Sequence, residues 1–296
     1  MGLTRRAALQ AMLTAGAAAA GVRPATAGDR PPADAAGLLY DATLCIGCKT
    51  CMVACREANG LAPDTTASPH GLYQAPLDLS VRAKTVIKLY RDGPVQSFVK
   101  AQCNHCIDPA CASACMLGAL DKREFGIVTY DPDLCIGCRY CEVACPFNVP
   151  KFEFASRTPK IVKCELCKER LARGQEPACT DVCPRKAVVF GRRTELLKEA
   201  KRRIAENPGR YVPRVYGETE AGGTQVLYLS HVPFEKLGLP ALGDEPAPQL
   251  ARTIQHGVYR DLIAPMALYA TAVMAMVRNR RSENRGREET HDDGAR

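Results

Sequence analysis

Cys135-Ile136-Gly137-Cys138-Arg139-Tyr140-Cys141-Glu142-Val143-Ala144-Cys145-Pro146 sets four cysteines in the pattern Cys-x2-Cys-x2-Cys-x3-Cys. Working outward, the lead-in Tyr130-Asp131...Leu134 and this run recur earlier as Tyr40-Asp41...Leu44 with Cys45, Cys48, Cys51 and Cys55, so the two are copies of one unit. A second pair of quartets shares another plan. Cys103, Cys106, Cys111 and Cys115 are spaced x2, x4, x3, and Cys164, Cys167, Cys179 and Cys183 are spaced x2, x11, x3, with an insertion from Lys168 to Ala178. These four quartets use all sixteen cysteines.

A triplet at two-residue spacing forms a loop whose sulfurs converge on three corners of a cubane. The fourth cysteine sits on an outgoing helical turn and points to a neighbouring cluster, as in the Cys-x2-Cys-x2-Cys-x3-Cys-Pro run of two-cluster bacterial ferredoxins. Cys145-Pro146 and Cys183-Pro184 keep the proline, whereas Arg56 follows Cys55 and Met116 follows Cys115. The expected cofactors are therefore four [4Fe-4S] clusters, with all sixteen cysteines as iron ligands. A structural protein stapled by zinc or disulfides is the rival of another class. Zinc usually takes two Cys-x2-Cys pairs rather than a triplet and a lone cysteine, and the crowded triplets argue against disulfides. Gly47 and Gly137 would allow the backbone close to cluster sulfur.

The formal charge of +8 would suit nucleic acid, but four oxidised clusters with their thiolates contribute about −8 and cancel it. Nucleic acid is accordingly excluded. Lys49, Arg139, Lys163 and Lys168 lie next to or near ligand cysteines and are expected to offset cluster charge. No nickel-ligand pattern, flavin fingerprint or nucleophile-and-base constellation stands out, so no catalytic residue is assigned and the chain is not an enzyme on its own.

Residues 1–27 lack acidic side chains and run from Arg5-Arg6 through an alanine-rich stretch to Ala25-Thr26-Ala27, the layout of a signal peptide. Thr4-Arg5-Arg6-Ala7-Ala8-Leu9-Gln10 resembles the twin-arginine signal. That route carries folded, cofactor-loaded proteins, whereas the alternative Sec route threads an unfolded chain. Residues 256–281 are expected to form a C-terminal membrane anchor around the apolar run Leu262 to Val277, followed by Arg278-Asn279-Arg280-Arg281, which the positive-inside rule places in the cytoplasm. Residues 282–296 are expected to be a disordered tail. Between these ends, residues 28–255 should form an α+β body, with strands near Gly126–Tyr130 and Ala187–Phe190, a charged helix over Thr194–Glu206 and a wrapping segment over 207–248. Residues 60–99 are an insertion with no assigned place.

Taken together, the quartets, repeat, signal and anchor resemble the four-cluster ferredoxin-like subunits of membrane-bound respiratory oxidoreductases. Tyr216-Gly217-Glu218...Gly222-Gly223-Thr224-Gln225-Val226-Leu227, Val232-Pro233 and Ile254-Gln255-His256 are most similar to the branch that serves periplasmic [NiFe] hydrogenases; formate dehydrogenase beta subunits share the plan. The resemblance implies two interleaved ferredoxin-like dicluster domains plus a C-terminal transmembrane helix. One domain joins quartets 45–55 and 164–183, the other quartets 103–115 and 135–145. It further implies these ligand sets: Cys45, Cys48, Cys51 with Cys183; Cys164, Cys167, Cys179 with Cys55; Cys103, Cys106, Cys111 with Cys145; and Cys135, Cys138, Cys141 with Cys115. The implied partners are hydrogenase small and large subunits and an integral membrane quinone-reactive subunit, on the periplasmic side of the cytoplasmic membrane. The alternative donor is a formate dehydrogenase or another molybdenum or tungsten oxidoreductase. His105 reads as either a cluster-side donor or a surface residue, and His256 as an interfacial histidine or one near a quinone-bearing partner.

Overall fold

A computed structural model describes residues 35–63, 76–156, 159–248, 266 and 268–280. The expected signal peptide, most of the run 60–75, His256 and the tail 282–296 lie outside the described residues. The chain divides into two units, Met1–Pro246 and Ala247–Arg296.

The first unit mixes short strands and helices. Its main sheet has the order β8-β1-β9, with β1 (Ala36–Asp41) antiparallel to β8 (Val188–Arg192) and parallel to β9 (Val226–Leu229). As the central strand, β1 is buried at all six residues, and its two-residue period divides them between two cores. Leu38 and Tyr40 join the cluster that contains Cys51 and Cys179. Leu39 instead packs with Leu196 and Ala200 of the helix α6 (Arg193–Glu206). These two helix residues are four apart and so share one face; Glu195, Lys198, Lys201, Arg202 and Glu206 form the solvated surface expected from its sequence.

Strand β9 corrects the reading of 207–248 as a segment that merely wraps the body, because part of it is an edge of the main sheet. Its apolar run Val226-Leu227-Tyr228-Leu229 is buried throughout. The placeless insertion also acquires structure: with the two residues that follow it, it forms an antiparallel hairpin of two seven-residue strands, β2 (Val86–Asp92) and β3 (Val95–Ala101). Two smaller hairpins follow, β4 (Leu120–Lys122) with β5 (Val128–Tyr130), and β6 (Lys151–Phe152) with β7 (Ile161–Val162).

The pairings have one logic. Strand β1 leads into the first quartet and pairs with β8, which leaves the fourth; β5 leads into the third and pairs with β4, which leaves the second. Short helices carry later cysteines of each quartet: α1 (Thr50–Ala58), α2 (Ala110–Ser113), α3 (Tyr140–Ala144) and α5 (Ala178–Asp181), while α4 (Lys168–Ala172) lies in the fourth-quartet insertion.

In the second unit, residues 268–280 are helical. Among the described residues no helix is long and apolar enough to cross a membrane, so the expected transmembrane helix over 256–281 is not found there; residues 249–265 of that approach lie outside the described residues.

Candidate iron-sulfur sites

The loops that open the quartets share a backbone device. The residue two after the first cysteine has a positive φ in all four: Gly47 at 69°, His105 at 47°, Gly137 at 71° and Leu166 at 51°. This turn aims backbone N–H groups at sulfur. The N–H groups of Gly47 and His105 donate to Cys45 and Cys103, and Leu166 N–H donates to Cys164 Sγ at 3.4 Å. Only two of the four positions are glycine, which is why the shared turn is hidden in the sequence. What lies nearest the glycine faces is aromatic: a Cβ on Gly47 would overlap the Phe98 ring, and one on Gly137 would stand 3.3 Å from Phe152.

The folded chain brings cysteines from different quartets together. Cys45, Cys48 and Cys51 line a cavity with Cys183. Cys164, Cys167 and Cys179 line one with Cys55. Cys135, Cys138 and Cys141 line one with Cys115. Around Cys106, the thiols acting most strongly on it are Cys103, Cys111 and Cys145. Among the described residues no group of three or more His, Cys, Asp or Glu side chains is placed to hold a single metal ion; the sulfurs face shared cavities instead.

Burial shapes the chemistry of these thiols. It pushes Cys51, Cys103, Cys141 and Cys167 up to about 11 and Cys111 up to about 12, and it raises Cys45, Cys145 and Cys179 as well. Neighbouring sulfurs add to the rise at most of these sites, because one thiolate opposes the next. Such groups ionise together only around a compensating positive charge, and iron supplies it. The donor set therefore fits iron-sulfur clusters: soft sulfur ligands, four to a cavity in three of the sets, with N–H groups aimed at sulfur.

His105 adds a second sign of fit. It is fully buried, which removes the surface-residue reading. Its Nδ1 accepts from Val128 N–H at 3.1 Å, so the neutral ring carries its proton on Nε2. Burial first, then Lys163 and Lys122, hold the ring well below the usual histidine range. Nε2 is buried without a hydrogen-bond partner among the described residues. A donor left over in the loop of Cys103 and Cys106 suits a group rich in acceptor sulfur.

The four basic residues singled out in the sequence have different surroundings. Lys163 is buried, with Nζ donating to Val128 O at 2.5 Å and Cys164 O at 3.0 Å, and its charge acts on Cys103, Cys111 and Cys145. Lys168 pairs with Glu165 at 3.1 Å. The Arg139 guanidinium stacks 5.5 Å and 5.3 Å from the rings of Phe152 and Phe154. Lys49 precedes the first residue of α1 with a left-handed backbone. Two residue roles were missed by sequence reasoning. Tyr40 and Tyr130, quoted above only as repeat markers, place hydroxyls beside the sulfurs of Cys45 and Cys135. Lys100, which carried no motif, lines the cavity of Cys55, Cys164 and Cys179.

Crossed strand pairs, sulfur-lined cavities and N–H groups aimed at sulfur define an iron-sulfur electron-transfer protein of the ferredoxin type. Residues 95–193 match the family model described as "4Fe-4S dicluster domain". The chain is 38% identical to the Hydrogenase-2 operon protein HybA of Escherichia coli O157:H7 over 307 aligned positions, covering 92% of this chain and 93% of that protein. It is also 47% identical over 246 residues to a protein of Nitratidesulfovibrio vulgaris, covering 80% of this chain and 66% of that relative. A "Formate dehydrogenase iron-sulfur subunit" of Haemophilus influenzae is 35% identical over 250 residues, with 80% and 77% covered. This chain belongs to the HybA family of iron-sulfur electron-transfer subunits, which is related to the iron-sulfur subunits of formate dehydrogenases.

Proposed function

We propose that the chain holds four [4Fe-4S] clusters in two interleaved dicluster domains and relays electrons from a periplasmic [NiFe] hydrogenase to a quinone-reactive membrane subunit. The observation that carries the reading is the convergence of Cys183 on the cavity of the first quartet and of Cys55 on that of the fourth. The pairings β1–β8 and β4–β5 support the same crossing in each domain. In this reading the ligand sets are Cys45, Cys48, Cys51 and Cys183; Cys164, Cys167, Cys179 and Cys55; Cys103, Cys106, Cys111 and Cys145; and Cys135, Cys138, Cys141 and Cys115.

A bound cluster supplies reversible one-electron transfer. The chain's own residues hold it, exclude water and set the charge around it. Apolar walls such as Ile87 and Val188 beside the first cavity keep the local dielectric low, and N–H groups donating to Cys45, Cys103 and Cys164 stabilise negative charge on sulfur.

The hydrogenase as donor rests on likeness to HybA over nearly the full length of both chains. A formate dehydrogenase donor is the second reading, favoured by the 35% identity to an iron-sulfur subunit of that name. Exposed apolar side chains around the third quartet, among them Met116, Ile136, Tyr140 and Val143, suit a subunit that works against a partner. Export through the twin-arginine signal of residues 1–27 and anchoring through 256–281, with Arg278, Arg280 and Arg281 on the cytoplasmic side, would place the clusters in the periplasm.

Co-purification from solubilised membranes, followed by quinone reduction with hydrogen or with formate, tests the assignment. Hydrogen-dependent reduction is expected; activity with formate alone would overturn the hydrogenase donor. Carbonate-resistant membrane association is expected of the anchor, and release by the wash would remove it.

A further inference from the structure

The hairpin β2–β3 delivers one cation to the protein interior. Lys100 is fully buried on β3. Its register opposite Ile87 and the bond from Tyr228 OH to Lys100 O at 3.1 Å fix its backbone. Nζ donates to Thr85 Oγ1 and to Gln102 Oε1. Both partners are neutral, and the Thr85 hydroxyl gives its own proton to Ala101 O at 3.2 Å.

A buried ammonium held only by neutral acceptors remains costly unless a charge of opposite sign stands close by. Cluster sulfur would supply it on two sides: Lys100 borders the cavity of Cys55, Cys164 and Cys179, and Ile87, its register partner across the hairpin, lines the cavity of Cys51. Those sulfurs belong to two different cavities. Cys51 lines the one completed by Cys183, and the other three line the one that Lys100 itself borders.

We propose that Lys100 is the shared internal counter-charge of the two clusters held by the first and fourth quartets and keeps their reduction potentials high. The inference rests on the cluster assignment above. Each reduction adds one negative charge to a cluster, and a fixed cation in a low-dielectric interior favours the reduced state over the oxidised one. The placeless insertion thereby gains a purpose, since its hairpin is the element that carries the charge inward.

The test is a redox titration of the purified complex by low-temperature EPR, with Lys100→Met and Lys100→Gln compared with wild type. The flanking clusters are identified through Cys183→Ser and Cys55→Ser. The neutral variants are expected to disfavour reduction of at least one flanking cluster tenfold or more, a fall of about 59 mV for a one-electron couple. Lys88→Met, which removes a cation from the same hairpin where it pairs with Asp78 at 2.9 Å, is expected to shift none. Full iron content with unshifted potentials in both neutral variants would overturn the proposal. Should those variants load less iron, Lys100→Arg decides: full iron with the charge restored supports the role, and an equal shortfall overturns it. Absence of EPR-active clusters from the wild-type protein would instead remove the cluster assignment on which the proposal stands.

Discussion

Gly47 and Gly137 occupy equivalent loops with φ of 69° and 71°, yet a Cβ meets different crowding. Alanine at 47 would overlap the Phe98 ring, whereas alanine at 137 would press on Phe152 at 3.3 Å, close enough that the ring must give slightly. Gly47→Ala is therefore expected to lose about four irons per chain, one cluster's worth, and Gly137→Ala to lose fewer; iron analysis of the two purified variants checks the order. The single Tyr228 hydroxyl proton is buried between Lys100 O at 3.1 Å and Asn104 Oδ1 at 3.0 Å. Tyr228→Phe removes that shared donor and should cost about 1–3 kcal/mol, read as a lower thermal midpoint of the loaded protein. The cysteines themselves were legible in the sequence because their spacing is covalent. The left-handed turns at His105 and Leu166 were not, because neither residue type announces a positive φ. Lys100 was equally invisible: its burial depends on strand β3 being paired and covered by segments more than a hundred residues further along the chain.

Helix α6 is tied to the main sheet by charge as well as by apolar contact. Asp41, at the end of β1, is fully buried and accepts from Thr43 N–H at 3.0 Å, Thr43 Oγ1 at 2.6 Å, Tyr211 OH at 2.9 Å and Arg203 Nη1 at 3.2 Å. Arg203→Ala removes the charged partner of that carboxylate while its bonds from Thr43 and Tyr211 remain, and the loss is expected at about 1.5–3 kcal/mol. Arg202→Ala breaks only exposed pairs with Glu199 and Glu206 and should leave the thermal midpoint nearly unchanged. Thermal unfolding of both variants, side by side, gives the comparison. The helix was readable from its local run of charged and apolar residues, and its start differs by one residue, Arg193 against Thr194. Strand β9 was not readable, because four apolar residues between loops become a strand only when β1 lies beside them.

For the whole molecule, the crossing of quartets is the property from which function follows. Two strand pairs, each joining the entrance of one cysteine loop to the exit of another, bring a fourth sulfur from far along the chain to each triplet. The sequence repeat made the units visible; which fourth cysteine serves which triplet depends on tertiary pairing that spacing does not encode. Cys183→Ser is accordingly expected to perturb the cluster of Cys45, Cys48 and Cys51 while sparing that of Cys164, Cys167 and Cys179, as resolved by EPR of the reduced variant. The most direct test of the central claim is the iron and acid-labile sulfide content of the purified full chain, measured together with the low-temperature EPR spectrum of its reduced form. About sixteen irons and sixteen sulfides per chain, with the overlapping signals of interacting reduced clusters, are predicted; little iron, no labile sulfide and a silent spectrum would contradict it.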